Sequence, residues 1–433
     1  MKLELPVSGA ALKIVSRLRE AGFESYIVGG AVRDLLLDRQ PKDFDISTSA
    51  TPEEVRQVFG RRQCRIIGKR FRLTHVYMEQ DIYEVSTFRS APAENAGQPS
   101  EYTDKKHYVY GAKPENLILS DNSYGSAKED AWRRDFTVNA LFYDPITKEV
   151  LDLTGMGLAD IETHTVRAIG NPALRFEEDP VRMLRALKLV AQFDFTLDNA
   201  TENALFASLS LLRHAAASRL TLELEKILQS TYCDRHFEVF HDYGLLPYFL
   251  PEMSRVWGMP EQKKMLSLLY ERNCRVDEGI YRNSVSLAIA AAAQPFVESA
   301  MANPPGALLK KHSGNLHEVI SDTIERLFAP LTLMVRMREA ACRILKMQRC
   351  FDDGAVCRRG ELMNQRSYPH ARELLVIRHT VENSSQLREI SANWPAVEEK
   401  RRKQQEFDRQ VGRGKRGGKK SYKNNKRNDK RDA

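Results

Sequence analysis

The stretch YIVGGAVRDLLLDRQPKDFDI, residues 26–46, decides how the chain is read. Three apolar residues, Tyr26, Ile27 and Val28, make a short strand pattern that runs into the pair Gly29-Gly30. Residues 31–37 carry a short helical pattern, and a polar turn around Pro41 delivers Asp43-Phe44-Asp45 to the start of a second apolar run. Successive strand residues point to opposite faces, so Asp43 and Asp45 are expected on one face, with Phe44 and Ile46 on the other. Two neighbouring carboxylates repel each other unless a cation lies between them. Oxygen-rich sites suit Mg²⁺, and two such ions can clamp an in-line displacement at phosphorus. The glycine pair upstream lets backbone N–H groups come close to a phosphate. An isolated DxD reads more simply as a helix end at Asp38 followed by a solvated turn. Here the glycines, Arg33-Asp34 and a second strand accompany it.

Outward from this unit, residues 8–20 place Leu12, Ile14, Val15 and Leu18 at the spacing of an amphipathic helix that ends at Ala21-Gly22. On the other side, Thr51-Pro52-Glu53-Glu54 is a helix start: Thr as cap, Pro first, Glu three residues after the cap. That helix is expected to run to about Phe59. Five arginines and one lysine crowd residues 61–72, ahead of the strand pattern Leu73-Thr74-His75-Val76-Tyr77-Met78. In isolation this is a solvated basic loop; beside a two-metal site, Lys69, Arg70 and Arg72 are better placed to grip a triphosphate or an RNA backbone. In the next strand Ile82, Glu84 and Ser86 share one face, and Tyr83, Val85 and Thr87 the other. A lone glutamate in an apolar strand is costly unless paired or metal-linked. Glu84 is therefore a candidate third catalytic carboxylate, the alternative being an edge-strand glutamate facing water.

Residues 90–128 are polar, without period, and read as a long loop. The segment EDAWRRDFTVNAL, residues 129–141, concentrates charge, and Arg134-Asp135 on its own is a helix-start ion pair. LDLTGMG, residues 151–157, closes the N-terminal unit. In FEEDPVRMLRALKL, residues 176–189, Asp179 can cap a helix whose first residue is Pro180. Val181, Leu184, Leu187 and Val190 form its buried stripe, and Glu178, Asp179, Arg182 and Arg185 crowd its first two turns. Beyond residue 197 the pattern is helical.

A chain of 433 residues has room for two or three domains. No apolar run approaches the roughly 20 residues of a membrane span, and the N-terminus lacks the apolar core of a signal peptide. The six cysteines show no CxxC spacing, which argues against a zinc site or a disulfide framework and fits a reducing, cytoplasmic location without membrane contact. His241-Asp242 stands without other His-rich pattern and is read as structural. Charge is uneven. Residues 400–433 hold fifteen Lys or Arg against four Asp or Glu, a net of +11, so out of a total of +8 the other 399 residues carry −3. Such a tail is expected to be disordered alone and to bind polyanions by counterion release, through Lys415, Arg416, Lys419 and Lys420 among others.

The strand–Gly-Gly–helix–DxD unit, with RRDFT at 133–137 and EDPVR at 178–182, resembles the class II nucleotidyltransferases. That family contains the CCA-adding tRNA enzymes and the bacterial poly(A) polymerases. The resemblance implies an α/β head with a mixed, polymerase-beta-like palm sheet over residues 1–150. It also implies an all-helical neck over 151–230 and a helical, RNA-binding body over 231–395, with the basic tail over 396–433. Two Mg²⁺ ions would be held by Asp43 and Asp45, and ATP would be the substrate. Gly29, Gly30, Arg33, Arg133, Arg134, Asp135 and Asn139 match the positions that hold the nucleotide. Asp179 and Arg182, with Arg185 beside them, match the element that reads the base by hydrogen bonds without a template. Arg219 and Glu223 match the neck that completes the pocket. The segment IIGKRFRLTHVYM, residues 66–78, resembles the bacterial poly(A) polymerase branch, whose implied partners are RNA 3′ ends and RNA-decay proteins. A CCA-adding enzyme is the alternative, and an RNA-binding protein with an inactive head is a second.

Overall fold

The computed structural model describes residues 1–68, 73–79, 81–90, 124–302, 316–353 and 359–383, together with 385, 389 and 393–396. Lys69, Arg70, Arg72, residues 91–123 of the segment expected to be loop, and the basic tail lie outside the described residues.

The chain opens with α1 (Gly9–Glu20), capped by the Ser8 hydroxyl. It buries Ile14, Val15 and Leu18, while Leu12, expected on the same stripe, is partly exposed. A seven-stranded sheet follows, from β1 (Ser25–Val28), β2 (Asp45–Thr48), β3 (Cys64–Ile67), β4 (Leu73–Met78), β5 (Asp81–Thr87), β6 (Leu141–Asp144) and β7 (Glu149–Asp152). Their order is β3-β4-β5-β2-β1-β6-β7. β2 and β5 run parallel and the other neighbours antiparallel, so the sheet is mixed as expected. Between the strands lie α2 (Gly30–Leu36), which connects β1 to β2, and α3 (Pro52–Gln63), whose Thr51–Glu54 capping box forms as read. α3 breaks at Gly60, where φ is 76°, just past the expected end at Phe59.

Strand alternation sorts the sheet into two faces. Ile27, Ile46, Val76, Tyr83, Val85 and Tyr143 pack with α1 and α3 into the main core. Val28, Phe88 and Phe142 point the other way, into a smaller cluster under α4 (Ala127–Trp132). α4 begins inside the stretch expected to be loop, because Ser126 and Glu129 close a capping box. Arg134-Asp135 follows this helix rather than starting one.

The chain continues through α5 (Gly157–Glu162), α6 (Pro172–Glu178), α7 (Val181–Phe193), α8 (Asn199–Ser208), α9 (Ala217–Gln229) and α10 (Cys233–Asp242). Further helices carry it to Tyr368–Val381. Val285–Ala302 is long and apolar enough to cross a membrane, yet its run Leu287–Ala293 is wholly buried among the body helices, as in a core helix. One contiguous core extends from Leu5 to Trp394. No disulfide joins the described cysteines, and His241 stacks on Trp257 at 4.5 Å.

Candidate active site

Gly29 stands where β1 turns into α2, with φ at 74°, a conformation that favours glycine. Its N–H donates to the Leu141 carbonyl (3.1 Å) and is thus committed to the sheet rather than offered to a phosphate. What the missing side chain provides is space: a Cβ there would lie 3.0 Å from Arg134 Nη1. Val28, just before it, is paired with Asp45. β2 begins at Asp45, so Asp43 precedes the strand and strand alternation places Asp45 alone. Asp43 is exposed and close enough for its charge to act on Asp45.

The register of β2 with β5 sets Ile46 opposite Val85, which puts Asp45 beside Glu84. β5 lies between β4 and β2, so Glu84 is on an inner strand and not at an edge, but it does face water, with its side chain 54% exposed. Its carboxylate shares the face of Asp45 and lies 3.7 Å from His75 Nε2. The Asp45 side chain opens to solvent from the floor of a cleft. Partial desolvation there, with the charges of Glu84 and Asp43 and against the pull of Arg134, pushes its pKa up to about 6.

Arg134 spans the cleft. Its Nη2 donates to Ser47 Oγ (3.1 Å) and Asp130 Oδ2 (3.0 Å), and its Nη1 to the Asn139 carbonyl (3.4 Å). Arg33 donates to Asn139 Oδ1 (2.6 Å) and to Asp34, and covers the Phe193 ring at 4.2 Å. Gly29, Gly30, Arg33, Asp45, Arg134, Asp135 and Asn139 together line an open cleft of about 250 Å³.

Asp135 faces the neck. Its two oxygens accept from Arg182 Nε (2.8 Å) and Arg185 Nη1 (2.6 Å). Burial alone would raise its pKa, but the two guanidiniums outweigh burial and hold it below the usual carboxylate range. Arg182 is buried and also donates to Glu178 (2.9 Å) and to the Arg175 carbonyl (2.9 Å). Asp179 accepts from the Val181 N–H (3.2 Å), capping α7, and from Arg219 (2.7 Å). Buried Glu223 receives Lys188 at 2.8 Å and lies 3.7 Å from Arg185. Of the described residues expected at the nucleotide, Gly29, Gly30, Arg33, Arg134, Asp135 and Asn139 line the cleft, Asp179, Arg182 and Arg185 stand in the ion pairs behind it, and Arg133 is half-buried at the end of α4.

Sequence reading missed several supports. Ser47 was within reach, since alternation sets it on the face of Asp45. Thr137 donates to the buried Asp160 (2.6 Å), itself gripped by Arg167. Arg175 left little sequence signal because its long-range partners are backbone carbonyls. Its Nη2 donates to the carbonyls of both Arg133 and Arg134 (2.7 Å each), and its Nη1 to Glu178 (3.0 Å). Arg175→Met should leave those carbonyls unpaired, cost about 1–3 kcal/mol of stability and raise the nucleotide KM about tenfold with a smaller change in kcat. Steady-state kinetics with calorimetric melting checks this.

The chain is 33% identical over 395 residues to poly(A) polymerase I of Escherichia coli O6:H1, covering 90% of this chain and 82% of that protein. It belongs to the class II nucleotidyltransferase family. Residues 25–167 match the family description "Poly A polymerase head domain", and residues 194–256 match "Probable RNA and SrmB- binding site of polymerase A". The CCA-adding enzyme of Geobacillus sp. is 37% identical over 238 residues, 55% of this chain and 54% of that one. Among solved structures, the Bacillus stearothermophilus CCA-adding enzyme in complex with CTP superposes with a TM-score of 0.58 at 26% identity, over 88% of this chain and 82% of that one. The chain is thus an RNA-binding enzyme of the nucleotidyltransferase class.

Enzymes of this family use Mg²⁺ with ATP or CTP. The acidic cluster fits that ion. Its donors are hard carboxylate oxygens, and the Asp45 pKa is raised first by desolvation and then by the neighbouring Glu84 and Asp43 charges, both of which a bound cation would offset. Among the described residues no three His, Cys, Asp or Glu side chains converge as a closed metal site. Mg²⁺ is ordinarily held by one or two carboxylates with substrate phosphates and water completing its shell.

Proposed function

We propose that this enzyme is a template-independent polynucleotide adenylyltransferase, adding AMP from ATP to RNA 3′ ends and so promoting RNA 3′ processing and decay. The observation that carries the reading is the extent of the likeness to poly(A) polymerase I, which runs through 395 residues, helical body included. The match to the Geobacillus CCA-adding enzyme covers 238 residues. The pattern Leu73-x-His75-Val76 in β4 supports it too. CCA addition to tRNA is the second reading, favoured by the 37% identity within that shorter match and by the CTP-bound structural relative.

Asp43 and Asp45 would hold the magnesium, with Glu84 beside Asp45 as a candidate third catalytic carboxylate. Bound there, it would acidify the attacking RNA 3′-hydroxyl and neutralise charge on the departing pyrophosphate. Arg134, braced by Ser47 and Asp130, presents fixed positive charge over the cleft where phosphate charge develops. Asn139, held by Arg33, faces the same space. Arg133 is assigned to the same phosphates. Asp179 and Arg182, anchored by Arg219 and Asp135, offer acceptor and donor edges to the base, with Arg185 behind them. Lys69, Arg70, Arg72 and the tail residues Lys415, Arg416, Lys419 and Lys420 are assigned to the RNA backbone, and RNA-decay proteins are the expected partners.

The deciding experiment mixes protein, Mg²⁺, an A-ended RNA and each nucleoside triphosphate in separate reactions. Long extension with ATP alone is expected. Transfer from CTP to a tRNA lacking its CCA end would establish the second reading instead.

A further inference from the structure

One part of the sheet carries side chains that the chemistry above leaves unused. Arg65 of β3 is paired with His75 of β4, and His75 with Glu84 of β5. Glu84 stands beside Asp45 through the Ile46–Val85 register. Directly paired residues hold their side chains on one face. Asp45, Glu84, His75 and Arg65 therefore form one row across four strands, from the metal carboxylate to the sheet edge. The pairs Tyr77–Ile82 and Ile67–Leu73 lie on the same face. Ile82 is 56% exposed and Ile67 42%, whereas Val76, Tyr83 and Val85 on the opposite face are buried. The Arg65 guanidinium lies 5.5 Å from the Tyr77 ring centroid.

An exposed strip holding an aromatic ring, two aliphatic side chains and a cation thus continues directly from the reacting carboxylates. The nucleotide cleft of Gly29, Arg134 and Asn139 approaches Asp45 from the β1 side. The acceptor strand must bring its terminal hydroxyl to the same carboxylate, and among the described residues the β5–β4–β3 side stays open at Ile67 and Ile82. Three strand spacings from Asp45 to Arg65 span roughly 14 Å, enough for a short run of stacked bases. Single-stranded nucleic acid is held elsewhere by this combination, ring faces for bases and cations for phosphates, without sequence choice.

We propose that the open face of β3, β4 and β5 is the platform for the 3′-terminal nucleotides of single-stranded RNA, with Tyr77 and Ile82 against a base and Arg65 on a phosphate. This rests on the reading of the enzyme as one that extends RNA 3′ ends. The test uses the full chain and an RNA oligonucleotide carrying 2-aminopurine at its 3′ end. Binding to the wild type should quench the fluorophore by stacking. Tyr77→Ala should abolish the quench and raise the RNA KM about tenfold, with the ATP KM unchanged, while Tyr77→Phe retains both wild-type values. Arg65→Gln should lower the salt slope of RNA binding by about one phosphate contact. Melting curves confirm that the variants are folded. A folded Tyr77→Ala with wild-type quench and RNA KM overturns the platform, as does a wild type that binds the RNA without quenching it. If the wild type extends no RNA but its quench is lost in Tyr77→Ala, the platform stands and the functional reading fails.

Discussion

Asp45→Asn is expected to reduce nucleotidyl transfer by about 10³-fold or more while leaving the fold intact, and Asp43→Ala combined with Asp45→Ala should leave no measurable transfer. Among the described residues the side chain makes no hydrogen bond that holds the sheet together; β2 is fixed by its backbone pairing with β1 and β5. Its raised pKa goes further. An acid whose pKa in the folded chain stands above its unfolded value costs stability once it ionises. Below about pH 4 the carboxyl is protonated in both states and the cost is absent; above about pH 6 it is complete. A dry site with this shift would lose about 3 kcal/mol, but this carboxylate is open to solvent, so roughly 1 kcal/mol remains. Metal-free Asp45→Asn should therefore melt no lower than wild type at pH 7.5, and Mg²⁺ should raise the melting temperature of the wild type alone. An active double variant would remove the metal assignment. A variant that melts several degrees lower would show that Asp45 is structural.

Asp135→Asn is the second large effect expected, and its sign in stability is opposite. Asn keeps the shape but removes the charge that two guanidiniums share, leaving buried Arg182 and half-buried Arg185 without it. Breaking a buried pair from one side costs about 3–5 kcal/mol. Glu178 still serves Arg182 and Glu223 still serves Arg185, so a loss of roughly 2–3 kcal/mol is expected. The pH dependence is diagnostic. The depressed pKa of Asp135 contributes stability that is fully present above the ordinary carboxylate value and lost as pH falls through the folded one. Wild type should thus lose stability below about pH 4 more steeply than Asp135→Asn. Nucleotide KM should rise in parallel, because Asp135 also ties the RRDFT segment to α7.

Where chemistry is local, the sequence was readable. The turn at Gly29, the Thr51 capping box and the alternation of β5 each depend on neighbours within a few residues and appear as expected, and the α7 stripe does so except at Val190, which is only partly buried. Asp43 was less tractable, because a strand pattern does not say where pairing stops. Ser126-x-x-Glu129 shows an overlooked local signal: a capping box inside a polar stretch that composition made look like loop. The web of Asp135, Arg175, Arg182, Arg185, Glu223 and Lys188 lay beyond reach for another reason. Apart from Asp135, its members are charged residues on helices, where the ordinary expectation is a solvated face, and the partners across the web lie 35 to 50 residues apart.

The main core, which runs without a break from Leu5 to Trp394, has a practical corollary for protein engineers. Residues 25–167 resemble a portable cassette, yet Arg33 caps Phe193, Asp135 anchors to α7, and Arg175 braces the carbonyls of Arg133 and Arg134. A chimera joined at residue 167 separates these partners unless its graft brings α6 and α7 along, and a donor segment cut shorter should yield insoluble material before its chemistry can be assayed.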